Sequence, residues 1–247
     1  MNSVLNLILS HQSSRAVSRM LAYWSEYVPA GSILLAYGGP REEFDAIAHR
    51  QKCYVDDSRL RTSDHQREFQ SYSGLFQQAA AFLATEGTAF RFVHFAEYDH
   101  LPLVADLNAR QVQLLRAEDA DVLAFHLHRV DGTNHPHFLY HAAEDRFHAL
   151  WAGISRRSDP KVVLSIFGSG SFWTREAFLA VSSRTEPFRM YLEIYLPTLA
   201  HHLGFRVRGF GVQDRFIDVL GDETDKIEAA RAGGAWTLHP AKRLWTD

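Results

Sequence analysis

A chain of 247 residues, 46% hydrophobic and 22% charged, has a globular composition and not that of a disordered, collagenous or disulfide-stapled protein. A formal net charge of −3 supplies no strong positive field, which argues against nucleic acid and against a polybasic membrane surface as partners. The lone cysteine, Cys53, permits no intramolecular disulfide; it reads as a buried thiol on a strand, in a compartment that is allowed to be reducing.

The first apolar run, from Met1 to Leu9, follows no basic segment and is too short for a membrane span. It reads as a core strand, no later window suits a transmembrane segment, and a cytoplasmic location is expected. Short runs rich in apolar and β-branched residues recur at Val4–Leu9, Ile33–Tyr37, Lys52–Val55, Phe90–Ala96 and Val122–Leu127, as strands covered on both faces require. Helical spacing lies between them. Ser13 or Ser14 caps a helix to about Tyr27 with Val17, Met20, Leu21 and Trp24 on one face. Gly39-Pro40 with Glu42 and Glu43 opens a second, Gln66 to Ala84 forms a third, and a fourth runs from Pro102 to near Arg116. The least regular stretch, Arg129 to Pro160, reads as an insertion or a lid. The alternation predicts an α/β fold with a mostly parallel central sheet flanked by helices, in one domain over 1–247.

In such sheets ligands sit outside the carboxyl ends of the strands, so the polar residues that follow each strand matter most. Here they are Ser10-His11-Gln12, Gly38-Gly39, Asp56-Asp57 and Glu97-Tyr98-Asp99. In an extended segment Glu97 and Asp99 would point to the same side and converge on one hard divalent cation. Such an ion would bridge a diphosphate and neutralise charge on a leaving group. The competing reading is a solvated strand end that caps the following helix.

Further motifs follow in a fixed order: Phe167-Gly168-Ser169-Gly170-Ser171-Phe172-Trp173 with a helix from Arg175, then Tyr191-Leu192-Glu193-Ile194-Tyr195, then Trp236-Thr237-Leu238-His239-Pro240. Together with Glu97-Tyr98-Asp99 this order resembles the GT-A glycosyltransferases, of a family 2-like, bacterial type, across most of the chain. The resemblance implies a nucleotide-diphosphate sugar donor and a glycan, lipid-linked or small-molecule acceptor. It implies Mn²⁺ or Mg²⁺ held by Glu97, Asp99 and His239, and an inverting reaction with Glu193 as the base. Gly168, Ser169, Gly170 and Trp173 would meet the donor sugar or acceptor. Ser10, His11, Arg15, Asp56, Asp57 and Lys242 would meet the nucleotide, with Arg61, His65 and Gln66 close by. Residues 1–100 would form the nucleotide-binding half and 101–247 the acceptor-binding half. The sequence departs from the commonest family pattern with glutamate at the first acidic position and with Leu192-Glu193-Ile194 where an acidic pair is usual.

Each motif also has a local reading. Gly168 and Gly170 permit close backbone approach or positive φ, as would any glycine-rich turn. Glu193 in apolar company would have a raised pKa if partly buried, or would pair with an arginine such as Arg189. His126 and His128, alternating on a strand, share one face, yet without cysteines they fit a polar cleft wall or plain surface histidines better than zinc. No P-loop, nucleophile elbow or dinucleotide fingerprint is present. Nucleotidyl transfer would need a basic, glycine-rich loop after the first strand, of which Ser10 to Arg15 is a poor version. A GT-A-like domain that binds nucleotide or glycan without turnover is the other alternative.

Overall fold

A computed structural model describes residues 3–56, 73–184 and 190–245. Asp57, Arg61, His65, Gln66, Arg189 and the first part of the helix expected from Gln66 lie outside the described residues. The chain opens with β1 (Val4–Ser10), α1 (Ser14–Tyr27), β2 (Ile33–Tyr37), α2 (Arg41–Ala46) and β3 (Lys52–Tyr54). It continues through α3 (Ser73–Thr85), β4 (Phe92–Glu97), β5 (Leu101–Pro102), α4 (Leu107–Ala117), β6 (Val122–Ala124) and β7 (His128–Arg129). Next come α5 (Pro136–Ala142), α6 (Asp145–Ile154), β8 (Leu164–Ser165), β9 (Phe172–Thr174) and α7 (Arg175–Ser182). α8 (Leu192–His202), β10 (Val207–Gly209), α9 (Glu223–Ala232) and β11 (Thr237–Leu238) complete the described elements.

The central 7-stranded sheet has the order β10-β6-β9-β4-β1-β2-β3. All its pairs are parallel except those of β9, which runs antiparallel between β4 and β6. This is the expected α/β architecture, a mostly parallel sheet flanked by helices. Every residue of β1 and β2 is buried, which is why these strands read as continuous apolar runs and not as alternation. Leu5, Leu7, Val93, Phe95 and Trp173 pack into one core with Phe76 of α3, Phe178 of α7 and Tyr195 of α8. On the other face Ile8, Ile33, Leu35 and Ala96 meet Val17, Met20 and Trp24 of α1.

α1 starts where the sequence places it. Ser13 Oγ accepts the Ala16 N–H at 3.3 Å, and the Glu43 carboxylate accepts the Ser14 N–H at 2.6 Å. Three other expectations are corrected. Leu101-Pro102 form β5 and pair antiparallel with Thr237-Leu238, so the following helix begins only at Leu107. The strand read to Leu127 stops at Ala124, because His126 turns the chain at φ 49° and does not share a strand face with His128. The stretch read as irregular carries α5 and α6, whose Phe138, Phe147 and Trp151 enter the main core. Cys53 is half-buried on β3, and burial raises its thiol pKa to about 11.

Candidate metal and donor site

β4 delivers Glu97 to the carboxyl edge of the sheet. The Glu97 carbonyl then accepts the His100 N–H at 3.0 Å, closing a turn with Tyr98 and Asp99 at its centre. Glu97 and Asp99 therefore converge through a turn and not through the alternation of an extended segment. The chain next pairs as β5 with β11, and this two-stranded clip brings the residue after β11, His239, back to the turn. The Asp99 carbonyl accepts the Ala241 N–H at 2.9 Å, which fixes the clip from the other side.

The result is a cluster in which Glu97, Asp99 and His239 each offer one ligand atom, all within 4.8 Å of one another. His239 Nε2 lies 3.2 Å from Asp99 Oδ1, within ion-pair range but not aligned as a hydrogen bond. Asp99 is 2% exposed and His239 7%. Among the described residues, Asp99 Oδ1 and both His239 ring nitrogens are buried without a hydrogen-bond partner, whereas buried polar atoms are nearly always paired. Two carboxylates and an imidazole suit Mn²⁺ or a related ion. The residues present therefore fit the cation that the sequence implied.

The reversed direction of β9 places its beginning, not its end, beside the carboxyl end of β4, so the glycine segment before β9 enters the site edge. Its backbone is fastened on both sides: Phe167 N–H to the Phe125 carbonyl at 2.8 Å and Gly170 N–H to the Phe95 carbonyl at 2.9 Å. Gly170 takes φ +88°, and a Cβ there would stand 2.4 Å from His100 Cε1, so glycine is required. Ser169 is fully buried; its Oγ accepts the Glu97 N–H at 2.9 Å and lies 3.3 Å from His100 Nδ1. A Cβ on Gly168 would lie 3.1 Å from Glu193 Oε1, so the segment runs from the carboxylate turn to Glu193.

Glu193 is half-buried in the first turn of α8. Pro197 sits inside that helix and has no N–H to give the Glu193 carbonyl; the Ile166 N–H takes its place at 3.0 Å. A proline thus frees the carbonyl that anchors the glycine segment. Trp173 does not reach the site: it is 1% exposed in the core, its indole N–H bonded to Ser171 Oγ at 2.9 Å. Its expected ligand contact is corrected to packing.

Among the nucleotide candidates, Ser10 is fully buried and accepts the Gln12 N–H. His11 stands edge-on to Tyr98 with ring centroids 5.1 Å apart. Its pKa is lowered by withdrawal from water, against the attraction of Asp99 and with added repulsion from Lys242. Tyr98 is raised to about 12, by burial first and then by Asp99, Glu97 and Glu223. Lys242, Arg15 and Asp56 are exposed, the last beyond the edge strand β3. A Cβ on Gly39 would meet Tyr37 Oη at 2.3 Å and the His11 carbonyl at 2.8 Å, so the ends of β1 and β2 close tightly here.

Sequence reasoning passed over His100, although it directly follows the acidic motif. It is fully buried, with ring centroids 5.9 Å from His239 and 6.0 Å from His94. Burial, His239 and His94 hold its pKa well below the usual imidazole value. Three histidines of the 126–148 stretch make structural contacts. His141 Nε2 accepts the Tyr191 N–H at 3.3 Å, His137 stacks on Tyr191 at 3.8 Å, and His135 bonds Ser165.

No protein-family model matches the sequence, and no curated protein matches it. Among solved structures, core-mannan synthase A from Aspergillus fumigatus in a Mn/GDP form is similar at a TM-score of 0.42 and 8% identity, over 87% of this chain and 73% of that one. A mannosyltransferase from Pyrobaculum calidifontis in complex with GDP-Man and Mn²⁺ is similar at 0.42 and 11%, over 84% of this chain and 54% of that one. This chain therefore spans about half the length of the Pyrobaculum protein. No helix among the described residues is long and apolar enough to cross a membrane.

Proposed function

We propose that this chain is a metal-dependent glycosyltransferase that moves a sugar from a nucleotide-diphosphate donor to an acceptor hydroxyl, with inversion. The observation that carries the reading is the convergence of Glu97, Asp99 and His239 at the carboxyl edge of the sheet, where Asp99 Oδ1 and the His239 ring nitrogens are buried and unpaired among the described residues. Those residues would hold Mn²⁺ or Mg²⁺, which when bound supplies positive charge to a departing diphosphate.

The chain's own residues do the rest. Lys242 and His11 flank the acidic turn where the diphosphate would lie, and Asp56 and Arg15 stand further out along the same edge for the nucleoside. Gly168 lets the backbone approach Glu193 closely, so the glycine segment that would meet the donor sugar runs beside the base. The Glu193 carboxylate takes the acceptor's hydroxyl proton as that oxygen bonds the anomeric carbon; the anomeric bond to the diphosphate breaks and its electron pair leaves with the diphosphate. Direct displacement needs no covalent enzyme intermediate. Residues 1–100 contribute the nucleotide side and 101–247 the acceptor side, with His239 returning to the first. The acceptor class is a glycan, a lipid-linked sugar or a small molecule.

Nucleotidyl transfer is less well supported. Its phosphate site would use the N-terminus of α1, where Ser13 and Glu43 already take N–H groups and a carboxylate faces the incoming charge.

The test is thermal stability against nucleoside diphosphates and nucleotide sugars, GDP-mannose among them, each with and without Mn²⁺. Saturating ligand at a hundredfold excess over Kd stabilises the native state by about 2.7 kcal/mol. A Mn²⁺-dependent shift with one nucleotide, lost in Asp99→Ala, supports the reading. No shift with any nucleotide refutes it. Binding without transfer to any acceptor, unaffected by Glu193→Gln, leaves a binding protein.

A further inference from the structure

A line of hydrogen bonds runs beneath the metal cluster into the core, and its donors all face one way. The Glu97 N–H donates to Ser169 Oγ at 2.9 Å. A hydroxyl that accepts there keeps its own proton to give, and His100 Nδ1 stands 3.3 Å away. Giving that proton to Nδ1 puts the ring proton of His100 on Nε2.

The far end fixes a second ring. Ser32 Oγ donates to the Pro29 carbonyl at 2.7 Å, so it accepts from Asn6 Nδ2 at 3.2 Å. That orients the Asn6 amide, whose Oδ1 then accepts from His94 Nδ1 at 3.3 Å. His94 thus carries its proton on Nδ1 and offers a lone pair at Nε2. Both Nε2 atoms are buried and meet no partner among the described residues, and the two rings stand edge to face. One is a donor and the other an acceptor, a complementary pair with polar need on both sides.

We infer that Ser169 and His100 are positioning residues for Glu97, in a tautomer-locked chain that one buried water completes between His100 Nε2–H and His94 Nε2. The inference rests on the metal reading of Glu97. It revises the role of Ser169: the hydroxyl is spent inside the protein and holds the carboxylate turn, and it does not meet a sugar. Partners that orient ligand-bearing groups in this way typically change metal affinity about tenfold to a hundredfold when removed.

The experiment uses the full chain and Mn²⁺ alone, titrated by the paramagnetic resonance of the free ion, beside long-range ¹H–¹⁵N spectra of the histidine rings. The expected result is an Nε2–H tautomer for His100 and an Nδ1–H tautomer for His94. Ser169→Ala weakens Mn²⁺ by about tenfold or more. His100→Asn, whose amide oxygen can accept from Ser169, recovers most of the affinity that His100→Leu loses. A wild type that binds no Mn²⁺ overturns the metal reading and the positioning role with it, while the tautomers still test the chain. Wild-type binding with an Nδ1–H His100, or equal Mn²⁺ affinity in Ser169→Ala, overturns the inference alone. Metal-free melting of each variant separates loss of fold from loss of positioning, and the wild-type tautomers decide the matter if Ser169→Ala does not fold.

Discussion

His239 Nε2 lies 3.2 Å from Asp99 Oδ1, although the two residues come from opposite halves of the chain. The contact is made by the pairing of Leu101-Pro102 with Thr237-Leu238, which ends one residue before the imidazole. A carboxylate and a ring held this close, with neither atom hydrogen-bonded among the described residues, stand within 4.8 Å of a ligand atom of Glu97 as well.

Asp99→Asn keeps the shape of the side chain and removes its charge. The variant is expected to fold with near-normal metal-free stability and to lose the Mn²⁺-dependent thermal shift with nucleotide. Paired melts with Mn²⁺ and with a chelator check this; a retained shift would remove Asp99 from the metal site.

Glu193→Gln is expected to lower turnover by about 10²- to 10⁴-fold, the usual contribution of a positioned general base. Donor binding should stay within a few-fold of wild type, because the proposed base would act on the acceptor hydroxyl and not on the donor. Single-turnover rates and donor titrations of the same preparation separate the two. Equal losses in both would make Glu193 a binding residue.

Gly170→Ala places a methyl group 2.4 Å from His100 Cε1 at φ +88°. Overpacking with backbone strain should cost about 1–3 kcal/mol of stability in urea unfolding. Gly132→Ala is the comparison, since its positive φ carries the same strain but nothing stands within 4 Å of the added carbon. Equal losses at both positions would show that the close contact adds nothing.

Pro197→Ala replaces an interior helix proline, a change that ordinarily gains about 3 kcal/mol. Here the restored N–H would compete with the Ile166 N–H for the Glu193 carbonyl. The gain should therefore fall well short of that figure, and turnover should drop as the glycine segment loses its anchor. A full gain with unchanged turnover would show that the segment is held by its other bonds.

Acid should destabilise the fold through histidines buried in the neutral form. Burial lowers His94 to about 3; it lowers His141 to about 4, opposed by Glu144 and aided by His137. With unfolded values near 6.5, the unfolded chain binds more protons between about pH 6.5 and 4. Stability is then full above that window and falls with pH inside it, by up to about 1.4 kcal/mol per pH unit for each ring. His141→Gln keeps an acceptor for the Tyr191 N–H but does not titrate, so its slope should be shallower by about one proton. An unchanged slope would place the proton uptake elsewhere.

The strands of the sheet were legible because they are covered on both faces, so runs such as Ile33–Tyr37 carry an unbroken apolar signal. α1 was equally plain, with Ser13 before a face of Val17, Met20 and Trp24. The two-residue β5 and β11 have no periodicity to detect, and Pro102 resembles a helix start until Thr237 is seen beside it. Trp173 was misread because a glycine segment gives no sign of where it ends; β9 begins at Phe172 and carries the indole into the core. Ser169 was named for a sugar contact, but its bond to His100 escaped because it joins segments far apart in sequence.

The closed N-terminus of α1 has one more consequence. With Ser13 and Glu43 on its first N–H groups, the edge offers a diphosphate little backbone charge, while Glu97 and Asp99 repel it. On the proposed reading, cation and nucleotide would then bind synergistically, and by reciprocity each would tighten the other by the same factor. Departure of the nucleotide product and loosening of the ion would become two views of a single equilibrium.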